Sequence, residues 1–129
     1  MQAQMCDIIS MNNQKGFKDL VFKPHANHAH SVQARLDLGD GIEISVMAHK
    51  GRGPVFGGLY GNASEGSYEV AVFQDDKMLP LSDFDDVLAW QSADDINNLL
   101  DNLKNQSYID SLHQKRKEHE EELEQLELN

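Results

Sequence analysis

The sequence lacks most of the features that would place a protein in a compartment or a functional class at once. Its 129 residues include one cysteine, Cys6, which excludes an internal disulfide and favours a reducing compartment. No apolar run approaches the roughly 18 residues of a membrane-spanning helix. Residues 1–10 do not combine a basic start with an apolar stretch, so we expect no secretory signal. These absences predict a soluble cytoplasmic protein.

Basic residues are scarce as well. The chain has 11 lysines and arginines against 22 aspartates and glutamates, and its formal net charge is -11. Binding to a phosphate backbone requires clustered basic side chains. The composition therefore argues against direct nucleic-acid binding, and it favours a partner that is itself basic.

Signals for metal binding or catalysis are weak. His25, His28 and His30 are spaced H-x-x-H-x-H, which would allow zinc or nickel ligation. However, no cysteine lies nearby, no H-E-x-x-H pattern occurs, and no fourth ligand can be named. Cys6 has no neighbouring base that would activate it as a nucleophile. We therefore interpret the histidines as surface groups and expect no metal and no catalytic residue.

A glycine-rich stretch over residues 49–67 is too long for an ordinary connection, and loops of this length are usually functional or mobile. It matches neither phosphate-binding motif, because Phe56 occupies the place of the third glycine in G-x-G-x-x-G. A strand is also expected after it, where a phosphate site needs a helix. We expect no nucleotide cofactor and take three of its residues as candidate partner contacts: Arg52, Phe56 and Tyr60.

The clearest local structure is a β-hairpin. Apolar and polar residues alternate over residues 32–38 and again over residues 42–48, which is typical of strands with one buried face. Gly39-Asp40-Gly41 between them supplies residues that tolerate positive φ. Residues 68–73 carry apolar side chains on both faces, which predicts a central strand. Met78, Leu79 and Leu81 predict a short last strand after an Asp75-Asp76 turn.

Helices are predicted in the last third of the chain. Residues 84–90 resemble a short helical turn, and Ser92 with Asp95 three positions later forms a variant of the capping box. The helix from Ser92 to about Asn105 has an apolar stripe that would pack on the sheet, made of Ile96, Leu99, Leu100 and Leu103. From Tyr108 a long polar helix runs to the end of the chain.

That last helix has a weak heptad seam. Its apolar positions are Ile109, Leu112, Leu123 and Leu126, but the two seam positions between them hold Arg116 and His119. We expect a monomer or a weak homodimer. The predicted fold is α+β: a small antiparallel sheet packed against a helix, with a protruding charged C-terminal helix. Residues 1–106 would form the compact domain, with every core element in them, and residues 107–129 its helical extension.

Negative charge is concentrated in one part of the sequence. Residues 75–101 contain eight aspartates and a single base, Lys77, for a local net charge of -7. Such a segment either forms a solvated surface or steers a basic partner towards the protein. Seven of these aspartates are our candidate partner-binding residues: Asp75, Asp76, Asp83, Asp85, Asp86, Asp94 and Asp95.

Three segments together resemble a family of small uncharacterised proteins from tailed phages. They are LGDGIEISV at residues 38–46, SYEVAVF at residues 67–73 and DVLAWQSADDI at residues 86–96. The resemblance covers about residues 38–103, and their order and spacing carry it. This chain departs from the pattern at Ile42 and Glu43, where an aromatic residue and a glycine are usual, and in its long charged C-terminal helix.

The resemblance implies a phage or prophage origin, and with it the host cytoplasm, but it brings no known activity or catalytic residue. Small accessory phage proteins often bind and alter host machinery. We therefore predict a non-catalytic acidic protein that binds a host protein in defence, transcription or other machinery. A first alternative is a DNA-mimic inhibitor that uses the acidic face of residues 75–101. A second is a metal- or nucleotide-dependent enzyme.

Overall fold

The computed structural model describes residues 15–24, 30–50, 61–82 and 86–128. These residues form one antiparallel sheet, two α-helices, and short 3₁₀ turns at Phe17–Asp19 and Ala63–Glu65. The helices are α1 (Ala93–Asn102) and α2 (Gln106–Leu128). The strands are β1 (Lys23–Pro24), β2 (Ser31–Gly39), β3 (Ile42–His49), β4 (Tyr68–Gln74), β5 (Lys77–Leu79) and β6 (Leu88–Gln91). The predicted α+β fold is confirmed.

The sheet has the order β1-β2-β3-β4-β5, and every pairing is antiparallel. Strand β6 also pairs with β4. Because β3 occupies one edge of β4, both β5 and β6 lie along the other edge. There β5 pairs with the C-terminal half of β4, and β6 pairs with its N-terminal half. Strand β4 is therefore central, as its two apolar faces predict.

One face of the sheet carries the hydrophobic core. On β3, Ile44 and Val46 are completely buried, and they lie opposite Val72 and Val70 of β4. The predicted β2–β3 hairpin is confirmed, and positive φ angles occur at all three of its turn residues, Gly39-Asp40-Gly41. The turn between β4 and β5 also has positive φ angles at both of its residues, Asp75 and Asp76.

Helix α1 covers this face as the sequence predicts, although it ends at Asn102. The backbone N–H of Asp95 donates to the Ser92 hydroxyl at 3.1 Å, and the Ser92 N–H donates to the Asp95 carboxylate at 2.9 Å. This reciprocal pair satisfies two N–H groups at the helix start. The whole predicted stripe is buried in the core: Ile96, Leu99, Leu100 and Leu103.

Two expectations from the sequence are wrong. Residues 88–90 of the expected helical turn belong to strand β6, because a four-residue segment here satisfies its backbone groups by pairing with the free edge of β4. The core also does not end before residue 107. Ile109 is 4% exposed and Leu112 is 2% exposed, and both pack in the same core cluster as α1. The first turns of α2 thus belong to the packed structure.

The rest of α2 leaves the sheet. All side chains over residues 120–127 are exposed. Neither this helix nor α1 is long and apolar enough to cross a membrane, and the same is true of every helix in the described ranges.

Candidate functional site

The two tight turns meet at one end of the sheet, which we call the hairpin end. The backbone N–H of Asp75 donates to the carbonyl of Gly41 at 3.0 Å, so the β2–β3 and β4–β5 turns lie side by side. This contact brings together carboxylates that are far apart in the sequence. The acidic side chains of the hairpin end are Asp37, Asp40, Glu43, Asp75 and Asp76.

Basic groups compensate part of this charge. Helix α2 passes the hairpin end, where Arg116 and Lys117 line one cleft together with Asp75. In the same place the ring of His113 hydrogen-bonds the side-chain oxygen of Gln74. On the opposite face of the sheet from the core, Arg35 pairs with Glu43. The hairpin end is consequently acidic but close to several cations.

The described aspartates of residues 75–101 do not form one cluster. The pairing of Tyr68 with Gln91 places the start of α1 beyond the N-terminal end of β4, whereas Asp75 follows its C-terminal end. A seven-residue strand spans about 20 Å. Asp94 and Asp95 are therefore separated from the hairpin end by the length of the sheet.

The candidate residues differ in what they do. Asp95 belongs to the helix cap, and the hydrogen bond from the Ser92 backbone lowers the pKa of its carboxyl below the ordinary value of 3.8. Asp75, Asp76, Asp86 and Asp94 are exposed. The remaining candidates lie outside the described residues: Asp83, Asp85, Arg52, Phe56 and Tyr60.

A second concentration of negative charge lies on the second half of α2. We call residues 118–128 the acidic segment: it contains six glutamates, and no lysine or arginine follows Lys117 in the chain. Within this segment Leu123 is 60% exposed and Leu126 is 72% exposed. Arg116 pairs with Glu120, four residues later, at 3.2 Å. The glutamates after Glu120 lie further along the helix from its lysines and arginines.

Trp90 is a surface residue that the sequence analysis did not select. It is 56% exposed, and its backbone has φ of 56°, which is unusual for a bulky side chain. The sequence signal was its presence as the only tryptophan, in a stretch without basic residues. We predicted a helical turn at this position, and a helical conformation gives no reason to expect backbone strain at Trp90.

The histidines and carboxylates in the part of the chain that the structure describes do not form a candidate metal site. No group of three or more His, Cys, Asp or Glu side chains there is arranged to hold a metal ion. His30 is exposed, while His25 and His28 lie outside the described residues. His49 is 8% exposed, and its Nε2 has no hydrogen-bond partner among the described residues.

Comparisons with protein-family models, with curated proteins and with solved structures found no match. The resemblance to phage accessory proteins therefore stays a prediction from the sequence. The site has to be interpreted from its own chemistry, which is that of an acidic surface with a few exposed apolar side chains.

Proposed function

We propose that this protein is a non-catalytic binding protein that attaches to a basic surface of a host protein and modulates it. The observation that carries the proposal is the acidic segment of α2. This segment projects from the domain, whereas the start of the same helix is packed in the core. The phage-type origin and the class of host target, in defence, transcription or other machinery, follow only from the sequence resemblance and belong to the proposal.

The support begins with how α2 is anchored. Burial of Ile109 and Leu112 fixes the direction of the helix relative to the sheet. A helix of 23 residues is about 34 Å long, so its second half extends well past these anchors. A helix held in this way presents its side chains in a defined orientation, and less conformational entropy is lost when a partner binds.

The pattern of the acidic segment suits recognition in a groove. Leu123 and Leu126 are three positions apart, so they lie on the same side of the helix. Amphipathic helices commonly bind by placing such apolar residues into a hydrophobic groove of a partner. The six glutamates around them require that the rim of the groove be basic. Electrostatic attraction would mainly speed association and make it sensitive to salt.

The DNA-mimic alternative has less support. It was based on one acidic face over residues 75–101, whereas Asp75 and Asp76 follow one end of β4 and Asp94 and Asp95 lie beyond the other. A competition experiment separates the two forms of the proposal. If duplex DNA displaces this protein from its captured partner, the partner binds both at the same place and the mimic form is correct.

The first test is affinity capture from a bacterial host lysate with wild-type protein and with the double variant Leu123→Ala and Leu126→Ala. Both leucines are exposed, so the variant should keep its stability within about 0.5 kcal/mol. A partner that binds through the groove should be retained by the wild type and lost by the variant. Val21→Ala is the matched control, because Val21 is equally apolar and 68% exposed but lies before β1.

The second test removes charge and keeps shape. A triple variant changes three glutamates of the acidic segment to glutamine: Glu121, Glu122 and Glu124. It should associate more slowly with the captured partner, and it should be eluted at lower salt than the wild type. Retention of the same proteins by the wild type, the leucine variant and the glutamine variant would show that α2 is not the binding surface.

A further inference from the structure

The backbone at Trp90 departs from the conformation that its residue type prefers. Its φ of 56° lies in the left-handed region, where a side chain beyond Cβ is disfavoured and glycine is usual. Outliers of this kind persist where the surrounding structure enforces them, and they cluster at functional sites. The presence of tryptophan here, where glycine would fit the backbone better, suggests that the side chain has a role.

A β-bulge explains the conformation. Tyr68 pairs with Gln91 and Val70 pairs with Leu88, so two residues of β6 lie opposite one residue of β4. Those two residues are Ala89 and Trp90. A bulge turns a side chain away from the direction that a regular strand would give it. Here the result is a tryptophan that is 56% exposed at the edge of the sheet.

Three carboxylates lie near Trp90 in the chain or in the β4–β6 ladder. Asp86 and Asp94 lie four residues before and after it, so the Cα atom of each is at most about 14 Å away along the chain. Both are exposed. Glu69 lies opposite the bulge in the β4–β6 ladder. No lysine or arginine occurs between Lys77 and Lys104.

We propose that Trp90 binds an arginine side chain in an extended segment of a partner protein. A guanidinium group can stack on the face of an indole, and tryptophan is the most favourable aromatic residue for this contact. The carboxylate of Asp86 or of Asp94 would accept hydrogen bonds from the N–H groups of this guanidinium. Lysine fits less well, because its ammonium group neither stacks nor pairs with a carboxylate through two parallel bonds.

This surface is separate from the acidic segment of α2, and the inference does not depend on the function proposed for that segment. Trp90 also supplies its own probe, because it is the only tryptophan in the chain. Its indole N–H gives a single NMR signal and its fluorescence is the only tryptophan emission, so both report on this site even if a ligand also binds elsewhere.

The first experiment titrates the wild-type protein with three capped peptides at physiological salt. One contains two arginines separated by glycine, the second contains lysines at those positions, and the third contains citrulline, which has nearly the shape of arginine without its charge. The arginine peptide should shift the indole signal, the lysine peptide should bind at least about threefold more weakly, and the citrulline peptide should bind least. Equal effects of the arginine and citrulline peptides would overturn the proposal.

The second experiment follows the backbone amide signals of residues 88–95 in two variants, Trp90→Gly and Trp90→Ala. Each should lose about tenfold in affinity for the arginine peptide, although glycine suits the backbone and alanine does not. Equal loss in both assigns binding to the indole group. Wild-type affinity in Trp90→Gly would refute the site. The peptide series on the wild type does not depend on whether either variant folds.

The third experiment distinguishes the effect of charges close to Trp90 from the effect of the net charge of the protein. The double variant Asp86→Asn and Asp94→Asn should bind the arginine peptide several-fold more weakly than the wild type. The control, Glu122→Gln and Glu124→Gln, removes the same charge from α2 and should change the affinity by less than about twofold, because salt screens distant charges. Equal weakening by both pairs would mean that the peptide responds only to net charge.

Discussion

Shortening α2 tests how the core of this protein is built. Two truncated chains are compared with the full chain: one ends after Gln106 and the other after Glu120. Only the shorter one lacks Ile109 and Leu112, which are 4% and 2% exposed in the core. The longer one lacks residues 121–129, and the side chains described there, over residues 121–127, are all exposed. The two truncations therefore separate the packed part of the helix from its projecting part.

The structure gives the size of the expected effect. Loss of one buried leucine or isoleucine to alanine costs about 2–5 kcal/mol, so loss of both side chains costs about 4–10 kcal/mol if the effects add. A protein of this size has a total free energy of unfolding of about 5–15 kcal/mol. The chain that ends after Gln106 should be unfolded or barely stable. The chain that ends after Glu120 should be within about 0.5 kcal/mol of the full chain.

Urea titration followed by far-UV circular dichroism and by the emission of Trp90 measures both chains. A second variant, Leu112→Ala in the full-length chain, should lose about 2–5 kcal/mol and confirms that the effect comes from core packing. If the chain that ends after Gln106 unfolds at the same urea concentration as the full chain, then Ile109 and Leu112 do not contribute to the core and the reasoning fails.

Leu99→Ala should lower the free energy of unfolding by about 2–5 kcal/mol in the same urea assay, whereas the exposed Glu122→Ala should change it by less than about 0.5 kcal/mol; equal effects would contradict the packing of α1. Ser92→Ala should cost about 1 kcal/mol through loss of the helix cap. Because the pKa of Asp95 is lowered in the folded state, its contribution should be complete above about pH 4 and lost as the pH falls below that, a dependence that Asp95→Asn should lack. Trp90→Gly should be more stable than Trp90→Ala by about 1 kcal/mol, and the opposite order would contradict backbone strain. Light scattering should find a monomer, and a stable dimer would contradict the use of the helix seam inside the domain.

The parts of the fold that sequence predicts well are those that local chemistry determines. The β2–β3 hairpin follows from alternation and from a turn rich in glycine, and the start of α1 follows from Ser92 and Asp95. The buried stripe of α1 follows from its period. Each of these signals lies within a few residues of the structure that it specifies, so no knowledge of the rest of the chain is needed.

The predictions that were wrong concern features that depend on residues far apart in the sequence. Strand β6 has only four residues, and what makes it a strand is the free edge of β4, about 20 residues earlier. A helical period at Ile109 and Leu112 suits an intermolecular seam and an intramolecular core equally well. The acidic residues belong to one segment of the sequence, but β6 returns the chain to the other end of β4 before Asp94, so the length of β4 separates Asp75 from Asp94. None of these three features produces a recognisable pattern among neighbouring residues of the sequence.

Packing of the helix start also bears on what the acidic segment can bind. With Ile109 and Leu112 in the core, only Leu123 and Leu126 remain exposed along the seam. In a parallel pair of such helices, Glu122 of one copy would lie beside Glu127 of the other, because these residues flank the seam on its two sides. An antiparallel pair that joins Leu123 to Leu126 overlaps only the acidic segments of the two copies, so negative charge is again brought close to negative charge.

An antiparallel alignment that brings the basic residues 115–117 of one copy to the glutamates of the other would place the leucines opposite residues that are polar or already buried in the core. The alignments that join the leucines of two copies of α2 therefore leave Glu122 and Glu127 opposite one another, so apolar contact comes without charge pairing at these two residues. A groove that is apolar at its floor and basic at its rim provides both at once. The sequence of the acidic segment thus favours a basic partner over a second copy of this chain.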